Sequence, residues 1–175
     1  MFEKVAIIGP GLIGGSMGMA LRQRGLATTV TGIGRRRESL DKALEVGAID
    51  KATLDLSQGV KDADLVVLAT PIGAFVELAP QVADSIRSEA LLTDVASSKA
   101  KVVETISSAL RARPDVAYIP SHPMAGSERS GPLAASASLF EGSICIITPL
   151  SNTFPESKGQ ITRMWSALGA SAISM

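Results

Sequence analysis

The sequence predicts an α/β domain in which helices cover both faces of a doubly wound, mostly parallel sheet. Three observations carry that expectation. Short apolar runs alternate with segments of helical period, glycines cluster in a turn near the start, and the composition is that of a globular domain. With 175 residues, 46% of them hydrophobic, the chain suffices for one buried core, and residues 1–175 are read as one domain.

Val5–Ile8 is apolar and β-rich and is expected to be the first strand. Leu12–Arg24 follows with Ile13, Met17, Ala20 and Leu21 at helical spacing, Thr29–Ile33 forms a second strand, and Arg37–Val46 a second helix. Together these make a βαβ unit. Leu65–Ala69 has no polar residue and reads as a strand buried on both faces, as strands of parallel sheets are. The alternation continues with a helix over Phe75–Arg87, a strand over Ala90–Asp94 and a helix over Lys99–Arg111. Ala117–Ile119 and Ser143–Thr148 are expected as strands, Glu156–Leu168 as a helix and Ala170–Ile173 as the last strand. Between Pro120 and Gly142 lies a stretch rich in Ser, Gly, Pro and Ala with little periodicity. A loop of that length in a compact domain usually carries function.

Composition narrows the partners. The 17 basic and 17 acidic residues cancel, which removes the electrostatic case for nucleic acid or an anionic membrane and leaves a small molecule as the expected ligand. Cys145 is the only cysteine and His122 the only histidine, so neither an internal disulfide nor a His-rich metal site is expected, and a reducing cytoplasm is the natural setting. The uncharged stretch Val5–Leu21 superficially suggests a signal peptide or membrane span. Its glycines and Pro10 suit a strand, a turn and a helix start instead.

Gly9, Gly11 and Gly14 form Gly-x-Gly-x-x-Gly between the first strand and first helix, where a Rossmann-type dinucleotide-binding sheet needs it. The first glycine permits the tight turn, the second lets backbone approach a pyrophosphate, and the third allows close strand–helix packing. Leu12 and Ile13 open the helix whose N-terminal amides and dipole favour an anion. About twenty residues further on, an NAD-specific fold places an acid on the ribose hydroxyls. Here that position is Gly34, followed by Arg35, Arg36 and Arg37, so the place is open and basic. NADP is therefore expected over NAD, with at least one of the arginines belonging to the solvated start of the next helix. Thr70 and Pro71 follow the third apolar strand and are expected to border the cofactor.

Nearly all remaining chemistry lies in Asp94–Lys99 (Asp-Val-Ala-Ser-Ser-Lys) and in Ser121–Gly131 (Ser-His-Pro-Met-Ala-Gly-Ser-Glu-Arg-Ser-Gly). Both follow strands and should meet at the sheet edge where a nicotinamide would project. His122, whose residue type titrates near neutrality, is the expected general base. It is read as lying in a polar loop, within reach of Ser97, Ser127 and Glu128.

At these residues the sequence resembles the prephenate/arogenate dehydrogenases of tyrosine biosynthesis. The likeness covers the Gly-rich turn at Gly9–Gly14, the segment Asp94–Lys99 and the loop His122–Gly131, with Ala96 standing where that family often has glycine. The resemblance implies oxidative decarboxylation of a cyclohexadienol. His122 would act as base on the ring hydroxyl, Ser97 would orient His122 and the hydroxyl, and Ser127 and Glu128 would line the substrate pocket. It also implies a second, all-helical domain that forms a homodimer and supplies basic residues for the substrate carboxylates. That domain is expected to be absent from this chain, and residues 1–175 to bind NADP while turning over poorly.

Two other readings remain open. Dehydrogenases of the β-hydroxyacid or imine-reducing kind share the Gly-rich turn, but have no reason to place a histidine in the loop Ser121–Gly131. A non-catalytic NADP-sensing module would have no use for His122 beside Ser97. Trp165, spaced with Ile161 and Leu168, is expected to pack, and Cys145 to be a buried small hydrophobe.

Overall fold

The computed structural model describes residues 1–175. Eight strands form one sheet in the order β3-β2-β1-β4-β5-β6-β7-β8: β1 (Phe2–Ile8), β2 (Ala27–Ile33), β3 (Lys51–Thr53), β4 (Leu65–Leu68), β5 (Leu91–Asp94), β6 (Ala117–Pro123), β7 (Ile144–Ile147) and β8 (Ser171–Ser174). All neighbours run parallel except β6 and β7. This is the doubly wound, mostly parallel architecture expected, with the strand order reversing between β1 and β4. At that reversal a ligand crevice opens beyond the carboxyl ends of the strands.

The helices are α1 (Leu12–Gln23), α2 (Arg37–Glu45), α3 (Leu56–Val60), α4 (Phe75–Ser85), α5 (Lys99–Ala109) and α6 (Pro155–Ala167). Alternation along the strands divides the core into two layers. Val5 and Ile7 of β1, with Leu65 and Val67 of β4, pack beneath α1, α2 and α6 against Met17, Leu21, Leu40 and Trp165. Ala6 and Ile8, with Val66 and Leu68, face the other way onto Phe75, Val82 and Ile106 of α4 and α5. Each of these large side chains contributes roughly 1.5–3 kcal/mol by leaving water. Trp165 meets Phe140 edge to face, with ring centroids 5.2 Å apart. No helix is long and apolar enough to cross a membrane.

Two departures from the sequence reading bear on function. β3 and α3 occupy the stretch between α2 and β4 that periodicity left unassigned, and Leu54 between them and Leu56 at the start of α3 border the crevice. In addition, β6 runs on to Pro123, so His122 stands on a strand and not in a loop. The parallel ladder to β5 ends at the Asp94–Pro120 pair, and from Ser121 onward β6 pairs instead with β7, antiparallel, placing His122 opposite Ile146.

Candidate active site

The turn from β1 into α1 is built by its glycines. Gly9 has φ +90°, a conformation that L side chains rarely adopt, and its carbonyl accepts from the Gly11 amide at 2.8 Å. Gly14 packs so closely that a Cβ there would stand 2.5 Å from the Gly9 carbonyl oxygen and 2.9 Å from the side chains of Ala69 and Ile7. A Cβ on Gly11 would meet nothing within 4 Å, so the space above the turn is open.

That space belongs to a cleft of about 670 Å³ bordered by Gly9, Gly11, Gly34, Arg35, Arg36, Thr70 and Pro71. Leu12 and Ile13 do not line it with their side chains, and Ile13 packs against the core. Their contribution is through the backbone. The amides of Leu12, Ile13 and Gly14 have no acceptor within the protein, and the first turn of α1 carries no acidic side chain. Thr70 Oγ1, buried at the cleft, also has no partner. Free amides, open space over Gly11 and an orphaned hydroxyl fit the pyrophosphate of a dinucleotide.

At the far end of the cleft the three arginines separate in role. Arg37 Nε donates to Asp41 at 3.0 Å within α2, whereas Arg35 and Arg36 form no ion pair and border the cleft. Ser39 lines the same end, a polar contact that the sequence pattern did not single out.

His122 lies near the carboxyl end of β6, beyond the last residue that pairs with β5; it is half-buried, and its imidazole makes no hydrogen bond. Burial lowers its pKa below the ordinary histidine value, and the Lys99 ammonium lowers it further, while Asp94 pulls the other way. Beneath it lies a polar cluster that sequence reasoning quoted but gave no role. The Asp94 carboxylate is fully buried and accepts from Tyr118 Oη at 2.8 Å, from the Ala96 amide at 2.9 Å and from the Lys99 ammonium. Lys99 Nζ also donates to the Ser121 carbonyl. Thr93 Oγ1 donates to the Ile119 carbonyl at 2.7 Å and lies 3.0 Å from Ser121 Oγ. The one signal in the sequence was an acid closing an otherwise uncharged buried strand.

The other expected site residues are less tightly gathered. Ser97 follows β5 on the same edge but is exposed and makes no hydrogen bond to His122. Ser127 Oγ accepts from the Arg129 amide at 3.2 Å, which stiffens the exposed loop after β6, and Glu128 is exposed on it. Neither bonds to His122. The same loop returns to the nucleotide cleft, where Gly131 and Pro132 form part of the wall, and is pinned by the Ser136 amide donating to Ser16 Oγ of α1 at 2.9 Å. One loop thus links the histidine to the cofactor cleft.

Residues 17–174 match the family model described as prephenate dehydrogenase, nucleotide-binding domain. The chain belongs to that family. A prephenate dehydrogenase of Bacillus subtilis is 34% identical over the whole chain, which covers 47% of that protein. Among solved structures, prephenate dehydrogenase from Aquifex aeolicus in complex with hydroxyphenyl propionate and NAD+ superimposes with a TM-score of 0.91 at 29% identity, over 100% of this chain and 60% of that one. Synechocystis arogenate dehydrogenase gives 0.89 at 30% identity, over 98% of this chain and 59% of that one. The chain spans about half the length of the curated relatives it matches. As a prephenate dehydrogenase nucleotide-binding domain, it carries the dinucleotide cleft and the single histidine on one sheet edge.

Proposed function

We propose that residues 1–175 form the NADP-binding unit of a prephenate or arogenate dehydrogenase, and that His122 is its general base. The observation that carries this reading is the position of the only histidine, at the carboxyl edge of the sheet, joined by one loop to a cleft that fits a dinucleotide. Family membership supports the reaction class. The Aquifex relative's complex with a phenol bearing a short acidic side chain supports the kind of molecule handled. Two cations bordering the cleft where an acid would select NAD support NADP.

The chemistry asks little of the protein beyond alignment. A cyclohexadienol carries a hydroxyl and a hydrogen on C4 and a carboxylate on C1. When bound, the nicotinamide supplies the hydride acceptor. Neutral His122 takes the hydroxyl proton as hydride leaves C4, giving a dienone. The C1–carboxylate bond then breaks, CO2 departs, its electron pair aromatises the ring, and the resulting phenolate recovers the proton from His122. Aromatisation makes the step effectively irreversible. Ser97 is assigned to orienting His122 and the hydroxyl, and Ser127 and Glu128 to the substrate pocket. For the full-length protein, a helical domain that forms a homodimer and neutralises the substrate carboxylates completes this reading.

The test adds prephenate or arogenate to the NADP-loaded protein and follows absorbance of the reduced nicotinamide. Reduction that depends on one of these substrates and is lost in His122→Asn supports the reading. Reduction that survives in His122→Asn contradicts the role of the histidine.

A further inference from the structure

Lys99 occupies a position that local rules disfavour. It is the first residue of α5, where the helix dipole repels a cation, and the first turn of α5 contains no acid to offset it. Its side chain is also largely withdrawn from water, which lowers its pKa. A residue that breaks two local preferences is held by something else. Here it is held by two acceptors on different strands, the Asp94 carboxylate ending β5 and the Ser121 carbonyl in β6. The Ser121 carbonyl belongs to the peptide bond that leads into His122. It lies just past the last β5–β6 pair, Asp94 with Pro120, where the parallel ladder has ended.

We propose that Lys99 is a positioning residue for His122: clamped between Asp94 and the Ser121 carbonyl, its ammonium fixes the strand end that carries the imidazole. The same cation acts on the ring, where its charge disfavours a second positive charge. The inference rests on the reading of His122 as a base, for which a neutral ring is required. The groups around the imidazole leave Lys99 as the cation that acts on it. Asp94 of β5 opposes Lys99, but its carboxylate is already engaged by Tyr118, the Ala96 amide and Lys99 itself. Tyr118 of β6 stays protonated, since burial and Asp94 both raise its pKa. Cys145 of β7 is held neutral, its thiol pushed up to about 12 by burial. Glu128 and Arg129 on the following loop stand in solvent, where their charges are screened.

Because His122 is the only histidine, its two carbon-bound ring protons report a single imidazole midpoint in proton NMR, readable without substrate or turnover. The wild-type midpoint is expected below the ordinary histidine value. Lys99→Met, which removes the cation and leaves Asp94 uncompensated, is expected to move it upward. Lys99→Arg, which keeps the charge, is expected to hold it near wild type, and Asp94→Asn to move it further down. A folded Lys99→Met whose midpoint equals that of wild type would overturn the proposal, as would equal shifts in the Met and Arg variants. Should Lys99→Met fail to fold, Lys99→Gln against Lys99→Arg makes the same comparison. The titration is independent of catalysis, so loss of the base assignment through His122→Asn and loss of the Lys99 coupling are separate results.

Discussion

Arg37 Nε donates to the Asp41 carboxylate at 3.0 Å, one turn along the same helix, and this pair divides three consecutive arginines into one that serves the helix and two that face the nucleotide cleft. Both partners are well exposed, and an i,i+4 pair of this kind contributes only about 0.3–0.5 kcal/mol. A charge-assisted hydrogen bond to a phosphate contributes roughly 1.5–3 kcal/mol. Arg35→Ala and Arg36→Ala are therefore each expected to weaken NADP binding by about tenfold or more while sparing NAD. Arg37→Ala is expected to change neither. Calorimetric titration of the three variants with both nucleotides checks this, and equal losses for NADP and NAD would remove the 2′-phosphate assignment.

The two glycines that open α1 should fail in different ways. A methyl group at Gly14 would press on the Gly9 carbonyl and on Ala69, so Gly14→Ala is expected to lower stability by roughly 1–3 kcal/mol, read as a fall in Tm. A methyl group at Gly11 meets no protein atom. Gly11→Ala should keep the wild-type Tm within a few degrees and lose nucleotide affinity, since only the ligand needs that space. A stable Gly14→Ala protein with normal affinity would contradict the packing argument.

Acid should weaken both activity and fold through His122. Its pKa in the folded chain lies below the unfolded value of about 6.5. In the window between the two values the unfolded chain binds more protons, so stability rises with pH there. The contribution is fully present above the unfolded pKa and is lost as pH falls through the folded one. Turnover that needs the neutral ring should show an acid limb at that lower folded value. Stability measured by urea unfolding across this window should flatten in His122→Asn relative to wild type. An unchanged slope would show that the ring does not titrate as described.

Cys145 is buried in β7 with its thiol pushed up to about 12, so it offers almost no thiolate near neutrality. A thiol reagent at pH 8 is expected to label the native protein very slowly and the urea-unfolded protein promptly. Rapid labelling of the native chain would contradict the burial of β7.

Much of the sheet was legible because its strands are simple. β4 is four apolar residues buried on both faces, and the Gly-rich turn marks the end of β1. β3 and α3 were not legible, since a three-residue strand containing Lys51 and a five-residue helix containing Gly59 have too few residues to show a period. The strand character of His122 was hidden by Pro120 and Pro123, which argue against a strand locally. Pairing with β7 overrides them: the Thr148 amide reaches the Pro120 carbonyl at 3.1 Å. The residue types of the site were visible in Asp94, Lys99 and His122, but their meeting was not. Asp94 closes one strand, Lys99 opens a helix and Ser121 lies on another strand, and only the fold brings the three together.

The most direct test of the whole account is a calorimetric titration of the purified chain with NADP and, separately, NAD. One site per chain with NADP bound at least tenfold more tightly than NAD is the expected result, set by Arg35 and Arg36 at the end of the cleft. A folded sample that binds neither nucleotide, or that prefers NAD, would contradict it.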